Sequence, residues 1–374
     1  MRKILATVAL LAISAGGFAQ SGQTCTINGS APFSSDGDTV MLMSMGQRQM
    51  NTIFQDVVSN HTFMLQENVQ VAGLRTVVAI KNGQPASFAS VVLSPGASIS
   101  VELGKGIDSK AKITGDRSND IIQEEEAYET AEAMRHQDFI YGYQDTTLDI
   151  VTRFYCKQKL DSLSLAIQQR RINVIINNMP LPVCSFLLQQ WGSDMSGEQV
   201  QQILDAMGRK MPNDPVYKAI IAQQKAQAEA EAATEVGRQF VEIAMLDTRG
   251  SMVRLSDVVK QNKYTLVDFW ASWCRPCLAE LPNVKRVYEK YHPKGLEIYG
   301  VSLDENQINW QNAIERLDMK WIHVSDLKGW QSAGAKSYNI HGIPATVLID
   351  QSGKIIAKNL RGDELEAKMA QLLK

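Results

Sequence analysis

The residues Phe269-Trp270-Ala271-Ser272-Trp273-Cys274-Arg275-Pro276 run directly into Cys277, and they follow the apolar stretch Tyr264-Thr265-Leu266-Val267 with a single acid, Asp268, between. A buried strand that empties into Trp-Cys-x-x-Cys at the start of a helix admits few folds and one kind of chemistry. The first sulfur sits where unpaired helix N–H groups and the positive end of the helix dipole stabilise a thiolate. The second is near enough to close a disulfide with it.

At 374 residues the chain exceeds what one hydrophobic core serves, so two or three domains are expected. Its 38 basic and 40 acidic residues leave a net charge of −2 with no long run of one sign, which argues against nucleic acid or an anionic membrane surface as a partner. Residues 1–19 read as a signal peptide: Arg2 and Lys3, the apolar run Ile4 to Ile13, then small residues to Ala19. The apolar segment is too short to span a bilayer comfortably, so an exported, soluble periplasmic protein is expected. Five cysteines remain: Cys25, Cys156, Cys184, Cys274 and Cys277. An odd count leaves at least one thiol unpaired; Cys156 and Cys184 are either buried inert thiols or partners in a structural disulfide.

Residues 24–117 are rich in Val, Ile, Thr, Ser and Gly, with short alternating runs separated by Lys81-Asn82-Gly83 and Ser94-Pro95-Gly96, and they predict a small antiparallel, β-sandwich-like domain. Residues 118–235 predict a helical segment: Ile121 to Ala133, Leu148 to Ile176, Val183 to Trp191, Glu198 to Met207, and a linker helix Tyr217 to Glu235 that is polar on almost every face. From 237 to 374 strands and helices alternate, giving an α/β domain with Cys274 at the carboxyl end of a central strand, the edge where open α/β sheets carry their reactive groups.

Asp268, Trp273, Cys274, Pro276, Cys277 and Pro344 carry a resemblance. Val267-Asp268-Phe269-Trp270-Ala271 and Tyr338-Asn339-Ile340-His341-Gly342-Ile343-Pro344, with the two motifs about seventy residues apart, make residues 237–374 similar to thioredoxin-fold thiol–disulfide oxidoreductases. The long stretch between Asp304 and Trp330 looks like the insertion of the periplasmic TlpA/ResA-like branch. Leu93-Ser94-Pro95-Gly96 and Thr114-Gly115-Asp116-Arg117-Ser118-Asn119-Asp120 loosely resemble a poorly characterised β-domain that accompanies such thioredoxin domains; it conveys no activity and is expected to serve docking or formation of a homodimer.

The resemblance implies roles. Cys274 is the nucleophile, its pKa expected to fall from about 8.5 toward about 7 through the helix terminus and the adjacent Arg275. Cys277 resolves the mixed disulfide. Asp268 takes up the Cys277 proton, the plainer alternative being an Asp that makes a hydrogen bond at a strand end. Trp273, Ile343 and Pro344 bind substrate, with Pro344 cis and the Ile343 backbone facing an extended client. Arg275, Pro276 and Glu280 are candidate tuning residues, Glu280 otherwise being a surface helix acid; Pro282 is a helix kink. One departure is the absence of the lysine that cytosolic thioredoxins place near the acid on the next strand, where Val301-Ser302-Leu303 offers none.

No metal and no cofactor beyond the Cys274–Cys277 disulfide is expected, because two cysteines make an incomplete site and the five histidines show no completing spacing. The expected activity is reduction of disulfides in exported client proteins, with electrons from a membrane thiol carrier. An oxidase or isomerase is the alternative enzyme, and a binding or chaperone module stapled by an inert cysteine pair the non-enzymatic one.

Overall fold

The structure is a computed structural model that describes residues 22–45 and 49–374; the signal peptide expected over residues 1–19 lies outside the described residues. The chain divides into two compact units, the first ending at Ile221 and the second running from Ala222 to Lys374.

The first unit begins with eight strands: β1 (Gln23–Ser30), β2 (Thr39–Met45), β3 (Met50–Val57), β4 (Thr62–Val69), β5 (Gly73–Lys81), β6 (Gln84–Leu93), β7 (Ser98–Glu102) and β8 (Lys112–Thr114). They form two four-stranded sheets, β4-β1-β7-β8 and β3-β2-β5-β6. Residues facing inward from both sheets, among them Ile27, Val40, Leu42, Leu65, Val77, Val91, Ile99 and Val101, form one core, so the alternating runs pack as a sandwich. The sheets are not wholly antiparallel: β1 and β7 pair in parallel. Alternation reports which face is buried and is blind to strand direction, so the sequence did not carry this.

Helices follow: α1 (Arg117–Arg135), α2 (Gln137–Gln144), α3 (Ile150–Asn178), α4 (Val183–Trp191), α5 (Gly197–Lys210) and α6 (Pro215–Ala233). Asp116 caps α1 by accepting from Ser118 N at 2.8 Å. Gly115 just before it has φ +100°, a conformation open to glycine. The buried Asn119 side chain accepts from Val92 N and donates to Val92 O, both at 2.9 Å, while Ser118 and Ser94 hydroxyls meet at 3.0 Å. The two stretches 93–96 and 114–120 therefore lie together, and Val92 joins the core formed by α1 and α3 to α6. For that reason the β-rich and helical segments make one unit rather than two. The unit boundary falls inside α6, earlier than the 235–237 boundary read from composition. Helix α2, which buries none of its residues, left no apolar periodicity to read.

The second unit contains β9 (Ala244–Asp247), β10 (Met252–Arg254), α7 (Leu255–Gln261), β11 (Tyr264–Trp270), α8 (Arg275–Tyr291), β12 (Leu296–Ser302), α9 (Gln307–Arg316), β13 (Ile322–Ser325), α10 (Ala333–Ser337), β14 (Ala345–Asp350), β15 (Ile355–Lys358) and α11 (Gly362–Leu372). Its seven-stranded sheet has the order β10-β9-β13-β12-β11-β14-β15. Strands β11, β12 and β13 run parallel, and β14 lies antiparallel beside β11. This is the expected thioredoxin-like fold, with β11 central, buried on both faces and ending at the cysteine motif. Strands β9 and β10 and helix α7 were not anticipated, being only 4, 3 and 7 residues long.

Candidate active site

Strand β11 is apolar because both its faces are covered, and Asp268 is the exception within it. Its register sets Asp268 opposite Gly300 of β12 and Thr346 of β14. After Trp270 the chain turns into α8, and Cys274 is that helix's N-cap. The N–H of Cys277 points at Cys274 Sγ from 3.2 Å, so one of the orphan donors of the first turn is aimed at the sulfur. Cys274 and Cys277 are joined in a disulfide with Cα atoms 5.3 Å apart. Pro276 lies in the first turn of α8, where its missing N–H costs nothing, and Pro282 lies within the helix. Cys274 and Cys277 are only 4% and 8% exposed.

The loop that carries Trp273 and Cys274 is held by a residue the sequence reading did not single out. Asp304, wholly buried, accepts from Ser272 N at 3.0 Å, from Ser272 Oγ at 2.5 Å and from Ser302 Oγ at 2.7 Å. A carboxylate with three donors converging on it fixes the chain one residue before Trp273.

Beneath the disulfide, Asp268, Cys277, Glu280, Pro344 and Arg361 line a cavity of about 20 Å³, room for a single water. Burial pushes the Asp268 carboxyl up to about 7, the Glu280 charge pushes the same way, and Arg361 pulls it back. Glu280 is not a free surface acid: it accepts from Gly362 N at 2.5 Å, at the start of α11, and from Asn283 Nδ2 at 3.4 Å. Arg361, the residue before α11, also donates to the carbonyl of Pro344. The cation near the acid thus comes from the far end of the domain, not from β12, whose facing residue is Gly300. A Cβ at Gly300 would meet His323 Nδ1 at 2.9 Å, so the place of a side chain there is filled from β13.

The Ile343–Pro344 bond is cis, and Ile343 O lies 3.7 Å from Cys274 Sγ. Trp273 is 52% exposed and meets Trp330 at 6.2 Å between ring centroids. Trp330 also escaped the sequence reading, as did Arg361; both reach the site through folding from positions with no motif around them. The structure thus gathers Cys274, Cys277, Asp268, Glu280, Pro276, Ile343, Pro344 and Trp273 at one end of the sheet, with Arg275 opening α8. His341 is exposed and shares a 2.6 Å hydrogen bond with Asn339. Cys25, Cys156 and Cys184 are free and buried; burial pushes the Cys184 thiol up to about 12, and Cys25 Sγ donates to Ser94 O at 2.9 Å. No group of metal-ligating side chains occurs among the described residues.

Known proteins are similar in sequence to part of the chain. A family model described as AhpC/TSA matches residues 236–358. The thiol-disulfide oxidoreductase ResA of Bacillus thuringiensis subsp. konkukian is 31% identical over 144 residues, 38% of this chain and 80% of that protein. ResA of Geobacillus kaustophilus is 30% identical over 125 residues, 33% of this chain and 69% of the relative. Among solved structures, the thioredoxin domain of a thiol-disulfide oxidoreductase from Bacteroides vulgatus is 36% identical, with 37% of this chain and 99% of that one covered and a TM-score of 0.35. With a Cys-x-x-Cys disulfide at a helix N-cap above a buried acid, and relatives of this identity matched over most of their length, the chain belongs to the TlpA/ResA-like thiol–disulfide oxidoreductases.

Proposed function

We propose that the protein works outside the cytoplasm as a reductant of disulfides in exported proteins. The observation that carries this reading is the pairing of a sulfur at a helix N-cap with a buried acid poised at about 7 beneath its partner. In the reduced protein the Cys274 thiolate attacks a client disulfide, forming a Cys274–client bond and releasing the other client sulfur as a thiolate. Cys277 then gives its proton to the Asp268 carboxylate and attacks the Cys274 sulfur. The client's second thiolate leaves, two electrons have passed to the client, and the Cys274–Cys277 disulfide remains. Arg275 beside the nucleophile and the aimed Cys277 N–H favour its thiolate. Ile343, presented by Pro344, offers its main chain to an extended client, which selects broadly rather than by sequence.

The direction toward reduction is supported by the Arg275-Pro276 dipeptide, the location by the leader-like residues 1–19, and the need for an electron source by the chemistry: a membrane thiol carrier restores the dithiol. The same reading gives the amino-terminal unit a docking or dimer-forming role, supported by exposed apolar side chains along α3, among them Ile150, Val151, Phe154 and Leu165. Equilibrating the Cys274–Cys277 pair against glutathione tests the direction. A potential near about −270 mV is expected, and one near about −120 mV makes the protein an oxidant instead.

A further inference from the structure

We propose that Trp330 and Trp273 together form a subsite for an aromatic or large aliphatic side chain of the client, two positions before the client's reactive cysteine. This rests on the reading of Cys274 as a site for protein disulfides. The other three tryptophans of this unit, Trp270, Trp310 and Trp321, are buried, whereas Trp273 is 52% and Trp330 45% exposed although their rings are in contact. Their planes tilt at 55°, so the pair forms an open wedge rather than a closed stack.

The backbone that carries each ring is fixed. Trp273 follows Ser272, which Asp304 holds by two hydrogen bonds, and Trp330 sits in the single 3-10 turn Gly329–Gln331, where Gly329 packs against the Glu305 side chain. Rigid, exposed indoles lose little entropy on contact and bury much apolar area, which is why such side chains dominate binding surfaces.

The occupant follows from continuity with the disulfide. Trp273 adjoins Cys274 in sequence, and Cys274 Sγ lies 3.7 Å from the carbonyl of Ile343. A client joined to Cys274 and laid along the Ile343 backbone is therefore tethered beside the indole wedge. Extended peptide presents its side chains alternately to two faces, so a residue near the client cysteine is delivered to the rings by the tether itself. An apolar flank then discriminates among clients that the main-chain contacts treat alike.

The test uses the full chain carrying Cys277→Ser, which holds its mixed disulfide at Cys274. Two peptides, each with one cysteine, are equilibrated with the glutathione-capped protein; one carries Phe two residues before the cysteine and the other Ser. Each exchange trades a peptide thiol for a glutathione thiol with no net oxidation, so the equilibrium constant reads the contact. The Phe peptide is expected to be favoured about five-fold, falling to near equality when Trp330→Ala is added and persisting with Trp330→Phe. Equal constants for the two peptides, or a preference that survives Trp330→Ala, overturn the subsite while leaving the protein-disulfide reading intact. Failure of either peptide to displace glutathione sinks both.

Discussion

Asp268 meets two opposed demands. Its burial and the charge of Glu280 favour the protonated acid, Arg361 favours the carboxylate, and the balance lies near 7, which is what the proposed uptake of the Cys277 proton requires. Asp268→Asn is expected to leave attack by Cys274 intact but to slow release of the client about 100-fold, with mixed disulfide accumulating in rapid-quench samples. In the wild type the release step should speed up as pH rises through about 7; the Asn variant should lack that inflection, and an inflection that survives the substitution assigns the proton to another group. Asp304 acts on the same site through position. Asp304→Ala leaves Ser272 N–H and two hydroxyls without their acceptor, so denaturation of the second unit, followed by indole fluorescence, should show a loss of about 1–3 kcal/mol, with Asp304→Asn milder. The difference between these two acids is also a difference in legibility. Asp268 stands within a continuous strand-to-cysteine motif and was readable. Asp304 meets Ser272 across 32 residues, and Arg361 meets Pro344 across 17, separations at which no local pattern survives.

Among the elements, α8 and α11 converge on Glu280, which reaches from the first to the opening N–H of the second. Its carboxylate is thus both a cap for α11 and a source of like charge on Asp268. Glu280→Gln keeps an acceptor for Gly362 N but removes the charge, so Asp268 should titrate lower. The pH at which client release reaches half its maximum should move down, while stability falls by no more than about 1 kcal/mol. An unmoved pH profile would return Glu280 to the role of a plain cap. The buried elements were readable because burial marks the sequence: β11 and β12, covered on both faces, are continuous apolar runs, and α5 turns Val200, Ile203, Leu204 and Met207 to a core at helical spacing. Strands β9 and β10 are too short to show a period, α2 buries nothing, and the parallel pairing of β1 with β7 depends on a strand six elements away.

For the molecule as a whole, the second unit buries two titratable groups, Asp268 on β11 and His323 on β13 with β12 between them, whose effects on stability oppose each other. Burial pushes the His323 imidazole from 6.5 down to about 3, the Met319 backbone opposing only in part. Below 6.5 the unfolded chain therefore binds a proton that the folded one refuses, and stability is lost as pH falls from 6.5 toward about 3. Asp268 runs the other way: raised from 3.8 to about 7, it is protonated in the fold while the unfolded chain ionises, so its stabilising contribution is complete below 3.8 and is lost as pH rises toward about 7. Between about 4 and 6.5 the two slopes, each at most about 1.4 kcal/mol per pH unit, offset one another. Single substitutions should separate them when each variant is compared with the wild type in the full oxidised chain, since every other titrating group then cancels. Relative to wild type, Asp268→Asn should gain stability with rising pH across that window, and His323→Phe should gain it with falling pH. Urea unfolding of the second unit at half-unit pH intervals reads both differences. Parallel curves for either variant and the wild type would mean that the group in question exchanges its proton with solvent in the folded protein as freely as in the unfolded one.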